Sequence, residues 1–160
     1  MGLTFDELEI AAHAGTDREL RALRLGRKHR YGYAPVANWT THIEAAIAEA
    51  TAAKWRGYKW VPTADTDAAG DIAPGVQVRH SLRLDGHMPL HPPDPADHAY
   101  VFVVGAGLGQ RIVGWCWGYE GKQERYWRAD LERPCFFVPQ SVLRWLPAKN
   151  GNHEIGEHDG

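Results

Sequence analysis

Apolar and polar positions along this chain change period several times, and each change marks an element. Thr4-Phe5-Asp6-Glu7 has the spacing of a capping box, and the apolar residues after it predict a short helix ending near Gly15. A second helix is expected from Thr16 or Asp17 to about Leu25, closed by Gly26. Tyr31-Gly32-Tyr33-Ala34-Pro35 then breaks the pattern, because glycine and proline both disfavour continued helix. The clearest helix starts near 38–41, with Thr41 and Glu44 again spaced as a capping box, and runs to about Arg56. At about 100° per residue, Ile43, Ala46, Ile47, Ala50 and Ala53 fall on one face and Glu49 lies at its border, where it can look into a cleft. Glu44 falls on the opposite border and reads as a cap.

The period then shortens. Tyr58-Lys59-Trp60-Val61 is aromatic enough for a strand, and the polar connection 62–70 carries Asp65 and Asp67. From Val76 to Leu84, Val76, Val78, Leu82 and Leu84 alternate with Gln77, Arg79, Ser81 and Arg83, the period of a half-buried strand that His80 interrupts. Asp85-Gly86 is a type I′ hairpin signal, which predicts a return strand through Met88 and Leu90, ended by the prolines at 92, 93 and 95. Ala99 to Val104 is nearly all apolar and fits a central strand; Arg111 to Trp117 is a second, linked to it by Gly105 to Gly109. A helix over Tyr119 to Trp127, a strand over 133–138 and a helical turn over 139–143 complete the reading. The sum is an α+β domain with a mixed central sheet flanked by helices. It spans 1–146, with an N-terminal helical segment at 1–35, a core at 38–146 and a polar, flexible tail at 147–160.

Composition narrows the classes. The chain has 160 residues, 44% hydrophobic and 24% charged, which suits one folded domain. No apolar run is long enough for a membrane helix and the N-terminus does not read as a signal peptide, so the expectation is a cytoplasmic protein. Cys116 and Cys135 stand alone, without a Cys-x-x-Cys pair, in keeping with a reducing compartment. The formal net charge of -2 argues against a protein that coats nucleic acid by bulk positive charge. Local charge differs: Arg18, Arg21, Arg24, Arg27, Lys28 and Arg30 hold six of the 18 basic residues. The first four recur every third residue, a drifting stripe along a helix that either lies beside a phosphate backbone or is a solvated face partnered by Asp17 and Glu19.

The strongest chemical signal is Asp71, followed past a turn by a strand that puts Gln77 and Arg79 on one face. A helix with a glutamate, a turn with an aspartate and a strand with Gln77-Val78-Arg79 resemble, in that order, the PD-(D/E)XK nuclease superfamily, the restriction-endonuclease-like fold. On that resemblance Asp71 matches the first acid, Gln77 the second, Arg79 the lysine and Glu49 the helix acid. The chain from roughly Glu49 to Leu143 also looks like uncharacterised proteins encoded by actinobacterial phages and prophages. The segments that carry this likeness are Ala53-Lys54-Trp55-Arg56-Gly57, Gly75 to Arg79, Tyr100 to Val104, Gly114-Trp115-Cys116-Trp117-Gly118 and Phe137-Val138-Pro139-Gln140.

The resemblance implies a nuclease acting on nucleic acid, with DNA the expected substrate, in a bacterial host cell, with Mg²⁺ or Mn²⁺ as cofactor. Asp71 would bridge to the metal, Gln77 would offer its amide oxygen, Val78 its carbonyl and Glu49 a contact through water. The alternative is a non-catalytic phage accessory protein that keeps the fold to bind nucleic acid or a host protein. Two substitutions shape the expectation. Gln77 removes one negative charge from the metal site, for which Asp65, Asp67 or Asp97 would compensate. Arg79 keeps its charge at any working pH, so it orients and stabilises but accepts no proton.

Three other patterns carry less. His80, His87, His91 and His98 lack the spacing of a zinc site and read as surface histidines. The Gly105-Ala106-Gly107-Leu108-Gly109 run matches no phosphate-loop motif and reads as a link between strands. Of the seven tryptophans, Trp115 and Trp117 share a strand face, which suits cover for a sheet better than base stacking.

Overall fold

The computed structural model describes residues 2–26, 35–62 and 70–145. Among these, three α-helices and two three-stranded sheets form a mixed α+β architecture. The elements are α1 (Phe5–Arg24), α2 (Pro35–Arg56), β1 (Val76–Ser81), β2 (Met88–Leu90), β3 (Ala99–Val104), β4 (Arg111–Trp117), α3 (Gly118–Gly121), β5 (Trp127–Arg128) and β6 (Cys135–Val138). Among the described residues, no helix is long and apolar enough to cross a membrane. The expected tail, 147–160, lies outside the described residues.

The first helix begins as its sequence dictates. Thr4 Oγ1 accepts the Glu7 amide at 3.2 Å, and the Glu7 carboxylate accepts the Thr4 amide at 2.7 Å. The predicted break at Gly15–Thr16 does not occur; α1 is one helix of 20 residues. Gly15 is where α1 crosses α2, and a Cβ there would lie 2.4 Å from Ile43 Cα. Its missing side chain serves close helix packing rather than a stop. Thr16 turns its hydroxyl back to Ala12 O at 3.0 Å.

The second helix starts earlier than its sequence suggests, at Pro35. Thr41 is therefore interior, and its hydroxyl donates to Ala37 O instead of capping. Glu44 is no cap either: its carboxylate accepts the Gly107 amide at 2.9 Å and Gln110 Nε2 at 2.7 Å, which pins the glycine-rich link to the helix. Buried alanines line α2 on two sides. Ala50, with Ile47, packs with Ala11 of α1, while Ala48, Ala52 and Ala53 pack against Val76, Val78, Val101 and Val103. This helix is the middle layer between α1 and a sheet.

That sheet has strand order β1-β3-β4, with β1 parallel and β4 antiparallel to the fully buried β3. Alternation along β3 sends Val101 and Val103 to α2 and Tyr100, Phe102 and Val104 to the other face. There they meet Met88, Leu90 and Val138 of the second sheet, whose order is β2-β6-β5. Beyond β4, Trp115 and Arg144 exchange backbone hydrogen bonds, each of 2.9 Å.

Three predicted elements are corrected here. Residues 82–87 do not form a β-hairpin: β1 ends at Ser81, and Met88 pairs with Val138, not with β1. Met88 and Leu90 are both completely buried, so they need the inner face of a second sheet, and the turn carries the chain across to it. Tyr58–Val61 joins neither sheet; Tyr58 and Trp60 instead tuck their rings against the core under α2. The helix over 119–127 is reduced to α3, a 3-10 turn at Glu124–Tyr126 and the two residues of β5. Tyr126 is drawn into the core and Trp127 pairs with Phe136, demands that a continuous helix would not meet.

Candidate functional site

The candidate residues gather along the outer edge of β1. The chain before it folds back so that the Asp71 amide donates to Val76 O at 2.9 Å, and Ala73 bridges to Val76. In a parallel pair, alternate peptide groups of an edge strand point away from their neighbour. The amide of Val78 is one such group, and Asp71 Oδ2 accepts it at 2.7 Å. Arg79 engages the next peptide group: its Nη1 donates to Val78 O at 3.0 Å. The guanidinium continues to Asp94, with Nη2 at 3.1 Å from Oδ2, and lies 4.9 Å over the Tyr100 ring. Its Nη1 stands 4.0 Å from Asp71 Oδ2. Asp94 is itself held by the His91 amide at 2.8 Å, and Lys122 Nζ donates to the carbonyls of Pro92 and Asp94.

Gln77 is buried and shares the face of Arg79, where its Nε2 approaches His98 Nδ1 at 3.3 Å. With the amide nitrogen donating, the imidazole accepts. Glu49 lies on the α2 side of the edge. Arg18 of α1 grips both its oxygens, Nη1 to Oε1 at 2.8 Å and Nη2 to Oε2 at 2.7 Å, and Trp60 Nε1 adds a contact at 3.4 Å. The side chains of the pair are 6% and 8% exposed, so this is a buried, bidentate ion pair.

The electrostatics tie the two groups together. Burial pushes the Glu49 carboxyl above its usual range; Arg18 pulls against this and the charge of Asp71 adds to it. Burial likewise raises Asp71, opposed by the Val78 amide, Arg79 and Arg18, while Asp94 pushes it further up. Asp71 thus sits between Arg18 with Glu49 and Arg79 with Asp94. As candidate donors, Glu49 is buried and Asp71 part-buried; both Glu49 oxygens are bonded to Arg18, and Asp71 Oδ2 to the Val78 amide. Gln77 is turned to His98 instead. Among the described residues, no three His, Cys, Asp or Glu side chains gather as a metal-holding group.

The four site residues read from the sequence therefore lie along one strand edge but divide into two groups, with Asp71 between them. The basic stripe divides as well. Arg18 is buried in the ion pair, Arg21 and Arg24 are exposed, and Arg27, Lys28 and Arg30 lie outside the described residues. Of the compensating acids, Asp97 is exposed and Asp65 and Asp67 lie outside the described residues. The acid that joins the site is Asp94. The histidines do not converge: His80 Nε2 is 2.7 Å from Gly105 O, His87 stacks on Phe137, and His98 meets Gln77. Sequence reasoning missed Arg18 as a partner of Glu49, and Asp94, His98 and Trp60 as neighbours. No spacing rule links residues 11 to 31 positions apart, and the proline-rich loop around Asp94 gives no sign of where it packs.

Comparison with protein-family models, curated proteins and solved structures found no match to this chain.

Proposed function

We propose that this chain is a Mg²⁺- or Mn²⁺-dependent nucleic-acid phosphodiesterase with a restriction-endonuclease-like core, acting on DNA in a bacterial cell that carries a phage. The observation that carries the reading is a pair of carboxylates raised by burial on either side of the β1 edge, the buried Glu49 of α2, which is paired with Arg18, and the part-buried Asp71 of the turn before β1, which accepts the Val78 amide. These two residues would hold the metal, which when bound supplies a polarised water and neutralises charge on the phosphate. Arg79 stays charged at all working pH values and contacts the scissile phosphate. Gln77 orients His98, and the exposed Arg21 and Arg24 meet the phosphate backbone.

The test is cleavage of plasmid DNA, single-stranded oligonucleotides and RNA by the purified protein with Mg²⁺ and Mn²⁺. Cleavage that Glu49→Gln and Asp71→Asn both lose supports the reading. Absence of cleavage, together with a melting temperature that Mn²⁺ leaves unmoved, overturns it.

A second reading, a non-catalytic phage accessory protein that binds nucleic acid or a host protein, has its own support. Arg18 already engages both Glu49 oxygens, and Gln77 engages His98. On that reading DNA binding persists in EDTA and in Asp71→Asn, whereas loss of binding in EDTA excludes it.

A further inference from the structure

We infer that the outer face of α1 is a self-association surface, on which a second copy of this chain docks its own α1 antiparallel about a two-fold axis. The inference does not rest on the nuclease reading. Five of the thirteen large apolar side chains exposed among the described residues lie on this one helix or its C-cap: Phe5, Ile10, Leu20, Leu23 and Leu25. Phe5 is 70% exposed, so its ring gains little from the fold of a single chain. The other side of α1 is already taken, since Ala11, Ala14, Gly15 and Ala22 are buried where it packs on α2.

The charges of this face say what covers it. Its N-terminal half carries Asp6 and Glu9 and its C-terminal half Arg21 and Arg24, all exposed. A polyanion matches only the basic half and leaves Phe5 and Ile10 in water beside two carboxylates. A partner of one charge sign fails on one half or the other. A second copy turned end for end matches both halves at once, because a two-fold axis makes every contact twice. Glu7, the remaining acid of the first turn, is held by Lys54 of α2 at 2.6 Å and takes no part.

Helix geometry sets the register. At about 100° per residue, Phe5 and Leu23 share one line along the helix, Asp6 and Arg24 share a second, and His13 and Asp17 flank the second. An axis level with Gly15 sets Phe5 of each copy opposite Leu23 of the other, Asp6 opposite Arg24 and His13 opposite Asp17. Ile10 and Leu20 fill the space between the end pairs and the middle. A single helix face lies at the small end of specific interfaces, below about 1,200 Å², so the dimer is weak, with a dissociation constant on the order of 10 μM. Nucleic acid that meets Arg21 and Arg24 would compete with the second copy for them.

The experiment is sedimentation equilibrium of the full chain at low salt, across concentrations that span this value, with circular dichroism to check folding. Wild type is compared with Leu23→Ala, with an acid-reversed chain (Asp6→Lys and Glu9→Lys) and with a base-reversed chain (Arg21→Glu and Arg24→Glu). Wild type is expected to dimerise, and each variant to pair about tenfold or more weakly. The two reversed chains, each poor at pairing alone, should form a one-to-one heterodimer when mixed. Phe5→Cys and His13→Cys, treated with a short thiol cross-linker, read the direction, since Cys116 and Cys135 are buried. The cysteine at 13 joins its own copy across the axis, whereas that at 5 stands about 30 Å from its copy and does not.

A wild-type chain that stays monomeric throughout overturns the inference, as does a dimer that Leu23→Ala and both reversed chains leave unchanged. Reversed chains that stay apart when mixed overturn it too, and cross-linking through position 5 but not 13 overturns the antiparallel arrangement. If a reversed chain does not fold, Leu23→Ala, at an exposed position, decides by its dimer affinity against wild type.

Discussion

The two sides of the β1 edge solve the same problem, how to hold an arginine against a carboxylate, with different amounts of water. On the α2 side, Arg18 and Glu49 form a bidentate pair in which both side chains are nearly sealed. On the other side, Arg79 meets Asp94 through one nitrogen, with 21% and 16% of the side chains exposed, and spreads over Tyr100 and its own backbone. A sealed pair stabilises little as a pair but is costly to break, since either charge alone is stranded in the interior. A partly wet pair can lose a member to solvent at modest cost. The difference teaches that the α2 side is rigidly specified, whereas the Arg79 side can change partners.

The largest effect should come from halving the sealed pair. Arg18→Met or Glu49→Ala should each lose about 3–5 kcal/mol of unfolding free energy in urea, and the double replacement Arg18→Met with Glu49→Leu should recover most of it. An additive double variant would break the comparison. Next comes the helix crossing that supports the pair. A methyl group at Gly15 meets the Ile43 backbone, so Gly15→Ala should cost about 1–3 kcal/mol in the same measurement. On the wetter side, Arg79→Met should cost on the order of 1 kcal/mol. A loss as large as that of Arg18→Met would erase the distinction between the two sides.

The smallest effect is a slope with pH. Because Asp71 is raised in the folded state, the native protein keeps its proton at pH values where the unfolded chain, with an ordinary carboxyl near about 3.9, has lost it. The stabilisation from this group is complete below that value and is lost as pH rises to the native one. The stability of wild type minus that of Asp71→Asn should therefore decline as pH rises from about 4, then level off. A difference that rises with pH would mean that the arginines outweigh burial at Asp71.

What the sequence made legible follows the range of each interaction. The cap at Thr4 and Glu7 depends on residues three apart, and it is present as written. The uninterrupted apolar run of β3 matches its central place, because burial on both faces leaves only one pattern. Gly15 and Asp85-Gly86 were misleading for one reason: each has a local meaning, a helix stop or a tight hairpin, that a remote partner overrides. Ile43 requires the glycine at a crossing, and Val138 draws Met88 away from β1.

The candidate site divides in the same way. Asp71, Gln77 and Arg79 are close in sequence, so strand geometry alone relates Gln77 to Arg79. The spacing of Arg18, Arg21 and Arg24 already held a clue to their different fates. A step of three residues turns by about 60° short of a full circle, so a series that ends exposed can begin on the buried side. Which residue is buried depends on where α2 lies, and that is not written in the stripe.

The hydrogen bond from Val78 to Asp71 has a consequence for how this protein can meet other chains. Together with the exchange between Trp115 and Arg144, it means that both margins of the β1-β3-β4 sheet are occupied by the protein's own irregular backbone and side chains. A foreign peptide cannot dock by extending the ladder at Val78, so recognition there must go through side chains. Removing the acceptor at Asp71 would open that margin as a template for neighbouring molecules. Asp71→Ala then risks a soluble fold that self-associates, and only Asp71→Asn, which keeps an oxygen for Val78, separates loss of charge from loss of the seal.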